Sequence, residues 1–329
     1  MSERFRIATY NLENLDDEVP PEAFAARIAA LRPILTALDA DILCLQEVDA
    51  QPRNRSPRRL RALQSLIETT SYAGFDLACS ESEPSHGPMD KHNLVVLSRF
   101  PVLQQRSLRH ALVPPPAHGL PIEAGTAMGK TPSGAVAWDR PIQHVTVRLP
   151  GGRRLEIVNL HLRAPMAAHI AGGTLAPQIW RSTRAWAEGF YVSSLKRIGQ
   201  ALEARLLVEQ LFDADSDALI AVAGDFNADN LEMPTRLLRA DVVDTGNELL
   251  AGRRLELAEA RLPAAKRYSV RYGERTAMVD HLLLSPALLE GLQSADVLND
   301  DLQDEETAAR LDQPAAASFH APLVAAFSF

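Results

Sequence analysis

Polar side chains suited to acid–base and metal chemistry occur at six places where short apolar runs of the sequence end. They are carboxylates, amides and imidazoles, and they comprise Asn11, Glu47, His161, Asp225 with Asn227, Asp280 and His320. Taken singly, such a residue is usually a turn former, a helix cap or a buried core histidine. Six together indicate a cleft at the rim of a sheet, because rigid strands deliver polar groups there.

These residue types favour hydrolysis of a phosphate ester. Carboxylate and Asn oxygens form a hard site suited to Mg²⁺ or Mn²⁺. A metal neutralises phosphoryl charge, a base prepares water, and amide donors hold the transition state. Signatures of other classes are absent from the sequence, namely zinc-binding Cys clusters, His-Glu-x-x-His, the Gly-rich nucleotide loops and the Gly-x-Ser-x-Gly elbow.

The elements that must position these residues are short apolar strands and helices. Helical spacing predicts helices at 21–38, 58–68 and 195–212, and Pro33 predicts a kink or break in the first. Apolar runs predict strands at 5–10, 41–48, 74–79, 93–97, 142–149, 154–160, 218–223, 278–284 and 323–327. Strands joined by both hairpins and helices indicate mixed sheets with helices outside. With no repeat and no shift of composition, residues 1–329 are predicted to form one α/β domain.

Composition limits the possible partners. The 329 residues include 34 basic and 42 acidic ones, and the net charge of −8 disfavours an extended nucleic-acid footprint without excluding a local basic groove. No apolar run reaches the ~20 residues of a membrane helix. The two cysteines, Cys44 and Cys79, lie in apolar runs, so we expect buried thiols and a cytoplasmic setting. Nothing in the sequence indicates an oligomeric state.

A resemblance to a known family rests on seven stretches, TYNLEN (9–14), DILCLQEV (41–48), NLVVLSRFP (93–101), NLHL (159–162), GDFN (224–227), VDHLLLS (279–285) and SFHAP (318–322). In this order they resemble the motifs of the endonuclease/exonuclease/phosphatase superfamily, the deoxyribonuclease-I-like group of Mg²⁺-dependent phosphoesterases. The match spans residues 9 to 322. It implies a four-layer α/β sandwich, with two mixed β-sheets packed face to face and flanked by helices.

The resemblance also implies catalytic roles. His320 is similar to the imidazole that serves as general base or stabilises the attacked phosphate, and Asp280 to the carboxylate that orients it. Asp225 is similar to the residue that positions or deprotonates the attacking water. Asn227 and His161 resemble the donors to the non-bridging phosphate oxygens. Whether His320 or Asp225 takes the proton stays open at this point.

The metal site implied by the resemblance has Glu47 as principal ligand with Asn11 beside it. Many members close with Ser-Asp-His, whereas this chain has Ser318-Phe319-His320. Phe319 has no oxygen to offer a second metal, so we expect one Mg²⁺ or Mn²⁺ ion. The same departure leaves open a non-catalytic binding module on this fold.

Two segments are candidates for substrate contacts. Five arginines lie in 53–61, which fit either a solvated helix face or a phosphate-binding rim. Residues 163–197 contain two Trp, a Tyr and several basic residues and form a predicted lid-like insertion, or else a helix with its aromatics packed inward. Arg163, two positions past His161, is the predicted phosphate contact of this segment.

Three functions follow from these features. The first is a metal-dependent phosphoesterase acting on a small-molecule or lipid-derived phosphate, favoured by the negative charge and the lid-like insertion. The second is a nuclease acting on DNA or RNA, which is favoured by the arginines of 53–61 and by the aromatic insertion. The third is the binding module motivated by Phe319.

Overall fold

The computed structural model of the chain describes residues 3–51, 57–81, 87–119, 134–176 and 179–329. Within them lie strands β1 to β18, in order Arg4–Leu15, Ile42–Val48, Asp76–Cys79, Asn93–Ser98, Val102–Leu108, Ala117–His118, Gly134–Ala135, Ile142–Arg148, Arg154–His161, Thr174–Ala176, Ile179–Trp180, Leu219–Asp225, Glu256–Leu257, Val270–Tyr272, Arg275–Ala277, Asp280–Leu284, Leu292–Val297 and Leu323–Ser328.

The same residues form helices α1 to α7, in order Pro21–Leu38, Arg61–Ile67, Thr183–Ala214, Met233–Arg239, Val242–Thr245, Pro286–Glu290 and Glu305–Arg310. α1 continues through Pro33, so the predicted break does not occur. Its buried residues lie on both sides of Pro33, and tertiary packing of that face holds the helix together. The predicted helix at 195–212 is part of the longer α3, which begins after Ser182, whose hydroxyl accepts a hydrogen bond from the Ala185 N–H at 3.1 Å.

Two six-stranded sheets form the centre of the fold, with strand orders β17-β18-β1-β2-β4-β3 and β13-β16-β12-β9-β8-β5. Each sheet has one parallel pair at its centre, β1/β2 and β9/β12, and its other neighbours are antiparallel. Ile7 and Cys44 of the first sheet share one buried core with Val145, Ile157 and Leu282 of the second. The two sheets therefore pack face to face.

Helices cover the outer face of each sheet. Leu43 of β2 packs in a second core with Leu35 of α1, while Val158 of β9 packs in a third with Leu207 of α3. Because successive side chains of a strand point to opposite faces, strands covered on both sides are apolar almost throughout. The layers are helix, sheet, sheet and helix, which confirms the predicted four-layer sandwich.

The central parallel pairs bring four strand ends to one edge. β1 and β2 pair Asn11 with Gln46, the neighbour of Glu47, and β9 and β12 pair His161 with Asp225. Parallel strands end at the same side of a sheet, so these polar residues, which lie at or near the ends of their strands, line one cleft.

Two further site residues reach this edge from the opposite direction. Asp280 begins β16 and lies opposite Asp225, and His320 precedes β18. The prediction that every site residue follows an apolar strand was therefore wrong for Asp280 and His320. The start of an antiparallel strand lies beside the end of its neighbour, so the edge is the same.

Of the arginines in 53–61, Arg53 and Arg55 lie outside the described residues. Arg61 contacts Asp17 through Nε at 2.9 Å, and Arg58 lies 3.6 Å from Asp90. The long loop predicted at 113–134 also falls largely outside the described residues. None of the helices in the described ranges is both long enough and apolar enough to cross a membrane.

Candidate active site

Asp225 lies at the centre of the polar cluster and is buried. Its Oδ2 accepts hydrogen bonds from Asn11 Nδ2 at 3.0 Å and Asn227 Nδ2 at 3.1 Å, and its Oδ1 accepts one from the Asn227 N–H at 2.8 Å. His161 Nε2 lies 3.3 Å and His320 Nε2 3.9 Å from the same Oδ2 atom. Burial raises the pKa of Asp225 to about 7, although the nearby His320 lowers it.

His320 and Asp280 form a close pair. His320 Nδ1 lies 2.7 Å from Asp280 Oδ2, so Nδ1 carries the proton and Nε2 faces Asp225. Burial lowers the pKa of His320, but the carboxylates of Asp280 and Asp225 outweigh it and raise the pKa to about 10. At neutral pH the ring is therefore an imidazolium that can donate from Nε2.

Glu47 is held by an irregular piece of backbone at the end of β2. The register of β2 with β4 shifts between Leu45 and Val48, and Glu47 adopts a left-handed φ of 58°. Asn11 Nδ2 donates to Glu47 Oε1 at 3.3 Å, and the Asn14 N–H donates to Oε2 at 3.0 Å. The bulge thus turns the carboxylate into the cleft, where His161 Nε2 lies 3.6 Å from Oε1.

Glu47 and Glu13 are close enough for their charges to interact, which makes them candidates to bind a divalent cation. Burial raises the pKa of Glu13 and so does the charge of Glu47, although His320 lowers it. A cation between these two carboxylates would relieve their repulsion, and carboxylate oxygens suit Mg²⁺ or Mn²⁺. Glu13 was not foreseen, although its position two residues after Asn11 is a signal that the sequence carries. The Asn11 Oδ1 accepts a hydrogen bond from the Glu13 N–H at 2.9 Å. The role of Glu13 as a metal ligand stays a prediction.

Asp225, Asp280 and His320 also offer three ligand atoms within 4.8 Å of one another. We favour the Glu47 side for a cation, because Asp280 Oδ2 in this trio is already paired with His320 Nδ1 at 2.7 Å. The Asp280 Oδ1 atom is buried without a hydrogen-bond partner, which marks unused acceptor capacity in the pair.

His161 is a neutral imidazole. Burial lowers its pKa well below the usual value, and the positive charges of Arg140, His92 and His320 lower it further. Its Nε2 lies between Glu47 and Asp225, while its Nδ1 is buried without a hydrogen-bond partner.

Asn227 is positioned by the turn that follows β12. Gly224, with φ of 140°, lies so close to β9 that a Cβ atom there would meet the Leu160 carbonyl oxygen at 2.0 Å. Asn227 has a left-handed φ of 48°, and its Nδ2 also donates to the Leu162 carbonyl at 3.1 Å. His281 secures the next residue, since its Nε2 lies 2.8 Å from the Ala228 carbonyl oxygen.

His281 is itself fully buried and paired with Glu259 through Nδ1. Burial lowers the pKa of His281, but the hydrogen bond and charge of Glu259 raise it by more, so the net shift is upward. This buried pair connects β16 to the turn that carries Asn227.

Arg163 Nη1 contacts Asp139 Oδ2 at 3.0 Å, and its role as a phosphate contact stays a prediction. Two residues that the sequence reasoning missed lie close to the carboxylates of the cluster. His92 Nδ1 lies 3.7 Å from Glu47 Oε2, and Arg140 is close enough for the charges of Glu47 and Asp225 to act on it. Both precede antiparallel strands, β4 and β8, so a search at strand starts would have found them.

Comparisons with known proteins agree with this fold. The model of the endonuclease/exonuclease/phosphatase family matches residues 8–300. Among solved structures, the chain is similar to a family protein of Bacteroides thetaiotaomicron at 15% identity and a TM-score of 0.58, covering 100% of this chain and 96% of that one. No curated protein gives a significant match.

Two other solved structures share the fold. A mannosyl-6-phosphatase of Bacteroides thetaiotaomicron is 15% identical, with a TM-score of 0.57 and 98% of each chain covered. Truncated TDP2 of Caenorhabditis elegans is also 15% identical, with a TM-score of 0.55, covering 98% of this chain and 97% of that one. Together with the family match over most of the sequence, these likenesses show that the chain belongs to the endonuclease/exonuclease/phosphatase family.

Proposed function

We propose that the protein is a Mg²⁺- or Mn²⁺-dependent hydrolase of a small-molecule or lipid-derived phosphate ester. The observation that carries the proposal is the position of Asp225. Its carboxylate accepts hydrogen bonds from two amide groups and lies next to the imidazole of His320. His161 Nε2 lies between this carboxylate and that of Glu47. An acceptor, a charged donor and an acidic metal-binding group thus surround one point of the cleft.

Each group has a role that follows from its charge state. His320 donates from Nε2 to a phosphate oxygen and stabilises the charge that grows there, because Asp280 keeps it protonated. Asp225 accepts the proton of the attacking water, since it is the buried carboxylate beside that donor and its pKa lies near neutral pH. Neutral His161 and the Asn227 amide donate to non-bridging oxygens.

Glu47 and Glu13 would hold one cation, with Asn11 keeping the Glu47 carboxylate in place. When bound, the cation supplies neutralisation of the phosphoryl charge. The side chain of Phe319 offers no third oxygen, which supports a single ion.

A nuclease is the second candidate, motivated by the arginines of 53–61. Arg58 and Arg61 lie next to Asp90 and Asp17, so part of their charge is offset within the chain. Together with the net charge of −8, this favours a compact substrate over a polyanion.

The test is turnover of bis(p-nitrophenyl) phosphate by the purified protein with Mg²⁺, with Mn²⁺ and with EDTA. We expect release of p-nitrophenol that depends on the metal and stops with EDTA. Parallel assays on plasmid DNA, RNA and a panel of sugar and inositol phosphates separate the candidates. Cleavage of nucleic acid alone would favour the nuclease, and no metal-stimulated release on any substrate would favour the binding module.

A further inference from the structure

A cavity of about 720 Å³ opens next to the candidate active site. Most of its lining residues lie in 163–176 and 179–190, after His161, and Arg140 and Arg163 are among the lining residues. Small-molecule sites commonly have volumes of roughly 300–1,000 Å³. The cavity adjoins the catalytic cluster through Arg140, which is close enough for the charges of Glu47 and Asp225 to act on it.

The walls of the cavity are aromatic. Trp186 and Phe190 lie on consecutive turns of α3, and their ring centroids are 5.6 Å apart with the ring planes at 30°. They are 47% and 42% exposed, an unusual state for large apolar rings. Trp180 forms another part of the lining and is held against α3 at Gly189, where a Cβ atom would meet its ring at 2.8 Å. The cavity thus presents flat, fixed, solvent-facing rings.

The cavity is also cationic on the side that faces the cluster. Asp139 is shared between Arg163 and Lys196, so one carboxylate faces two cations. Arg140 makes no hydrogen bond or ion pair through its guanidinium with any described residue, and its buried Nε has no partner. Carboxylates act on Arg140 through their charge, but its guanidinium keeps hydrogen-bond donors that a phosphate group can accept from.

We propose that this cavity is the substrate subsite for a flat aromatic group carried by the phosphate ester. In this proposal, Arg140 and Arg163 bind the phosphate to which the aromatic group is attached. The proposal rests on the proposed function for the identity of the site, and it adds the chemical class of the substrate. A nucleotide and a simple aryl phosphate share this chemistry.

An aromatic occupant suits the cavity better than an alkyl chain. Stacking on exposed rings is favourable for any group with a π-face, and Arg side chains add cation–π contacts. The rings of Trp186 and Phe190 remain open to solvent, whereas a chain-binding site would enclose its ligand in apolar walls.

The test is calorimetric titration of the full chain in EDTA, which stops turnover, with phenyl phosphate, thymidine 5′-monophosphate, n-butyl phosphate and methyl phosphate. We expect the two aromatic phosphates to bind about tenfold or more tightly than methyl phosphate, with n-butyl phosphate clearly weaker than both. Tighter binding of the thymidine compound identifies a nucleotide, and tighter binding of phenyl phosphate a simple aryl ester.

Variants locate the effect. Trp186→Ala and Phe190→Ala should reduce the preference for phenyl over methyl phosphate to about twofold, whereas Trp186→Phe should keep most of it. Leu175→Ala is the matched control, since Leu175 is 65% exposed in the same segment and outside the cavity lining, and it should leave the preference unchanged.

Three results would overturn the proposal: equal binding of phenyl and methyl phosphate, binding of n-butyl phosphate as tight as phenyl phosphate, or a preference unaffected in both Ala variants. Because the titration needs no turnover, its outcome is separate from that of the metal-dependent assay. Failure of that assay with retained aromatic preference would reject the hydrolase and keep the subsite.

Discussion

Asn11 donates a hydrogen bond from Nδ2 to Oδ2 of Asp225 at 3.0 Å, although the two residues are 214 positions apart. Asn11 belongs to the first sheet and Asp225 to the second, so this contact joins the two sheets at the edge where the site lies. The same amide nitrogen reaches Glu47 at 3.3 Å. One buried side chain therefore fixes the distance between the proposed metal-binding and proton-accepting carboxylates.

The first prediction concerns His320 and Asp280. His320→Ala removes the charged donor, and Asp280→Asn removes the carboxylate that keeps it charged, so each should lower the rate on bis(p-nitrophenyl) phosphate about 10²–10⁴-fold. If the pair acts as a unit, the double variant should be no slower than His320→Ala. Asp300→Asn, at an exposed acid, is the control. A rate above a tenth of wild type in His320→Ala would remove that residue from the mechanism.

The second prediction concerns metal affinity. Glu13→Gln removes one of two carboxylates, and we expect Mn²⁺ binding measured by calorimetry to weaken about tenfold or more. Glu18→Gln, which changes an exposed acid on the same segment, should have no effect on Mn²⁺ binding.

Phe319→Asp adds an oxygen ligand, so it should tighten Mn²⁺ binding or change the metal preference. A titration curve of Glu13→Gln identical to that of wild type would contradict a metal site at Glu13, and an unchanged curve for Phe319→Asp would reject the effect expected of the added oxygen.

The third prediction concerns the turn that carries Asp225. Gly224→Ala places a Cβ atom 2.0 Å from the Leu160 carbonyl oxygen at a φ of 140°, and it should lower the free energy of unfolding by at least about 2 kcal/mol. Gly74→Ala is the matched control, because nothing lies within 4 Å of its Cβ position. Urea denaturation measures both changes, and equal stabilities would refute the steric account.

The fourth prediction concerns pH. Glu259 raises the pKa of buried His281 above its ordinary value of 6.5. The stabilisation from this charged pair is therefore complete below about pH 6.5 and is lost as the pH rises through the folded-state pKa. The difference in unfolding free energy between wild type and His281→Gln should be largest near pH 6 and smaller at pH 9. A difference that grows with pH would show that the pKa shift has the opposite sign.

Much of this architecture could be predicted because apolar runs and motif order are local signals. The pattern of strands and helices predicted mixed sheets with helices outside, and the resemblance carried by the seven motifs implied the four-layer sandwich, whose cores lie between the sheets and under the helices. Helix α3 was only partly foreseen, since its first turns carry exposed aromatics such as Trp186 and Phe190 and so lack a core-facing stripe. Pro33 was expected to kink or break α1; the helix is not broken, and it has buried residues on both sides of Pro33.

His92 and Arg140 were missed for the same reason. His92 and Arg140 precede strands, and only the pairing of β4 with β2 and of β8 with β9 brings them to the edge where Glu47 and His161 lie. Strand order is a property of the tertiary fold that periodicity does not reveal. Glu13 was missed for a different reason: the pairing of β1 with β2 is irregular between Asn11 and Leu15, and strand periodicity does not predict side-chain positions across such a shift.

A crystal soaked with Mn²⁺ and phosphate tests the central claim most directly. We predict one anomalous Mn²⁺ peak in contact with the Glu47 carboxylate, and a phosphate within hydrogen-bond distance of His320, Asn227 and His161. Phosphate bound only elsewhere, or Mn²⁺ seated away from Glu47, would contradict the account of a single metal-assisted phosphoesterase cleft.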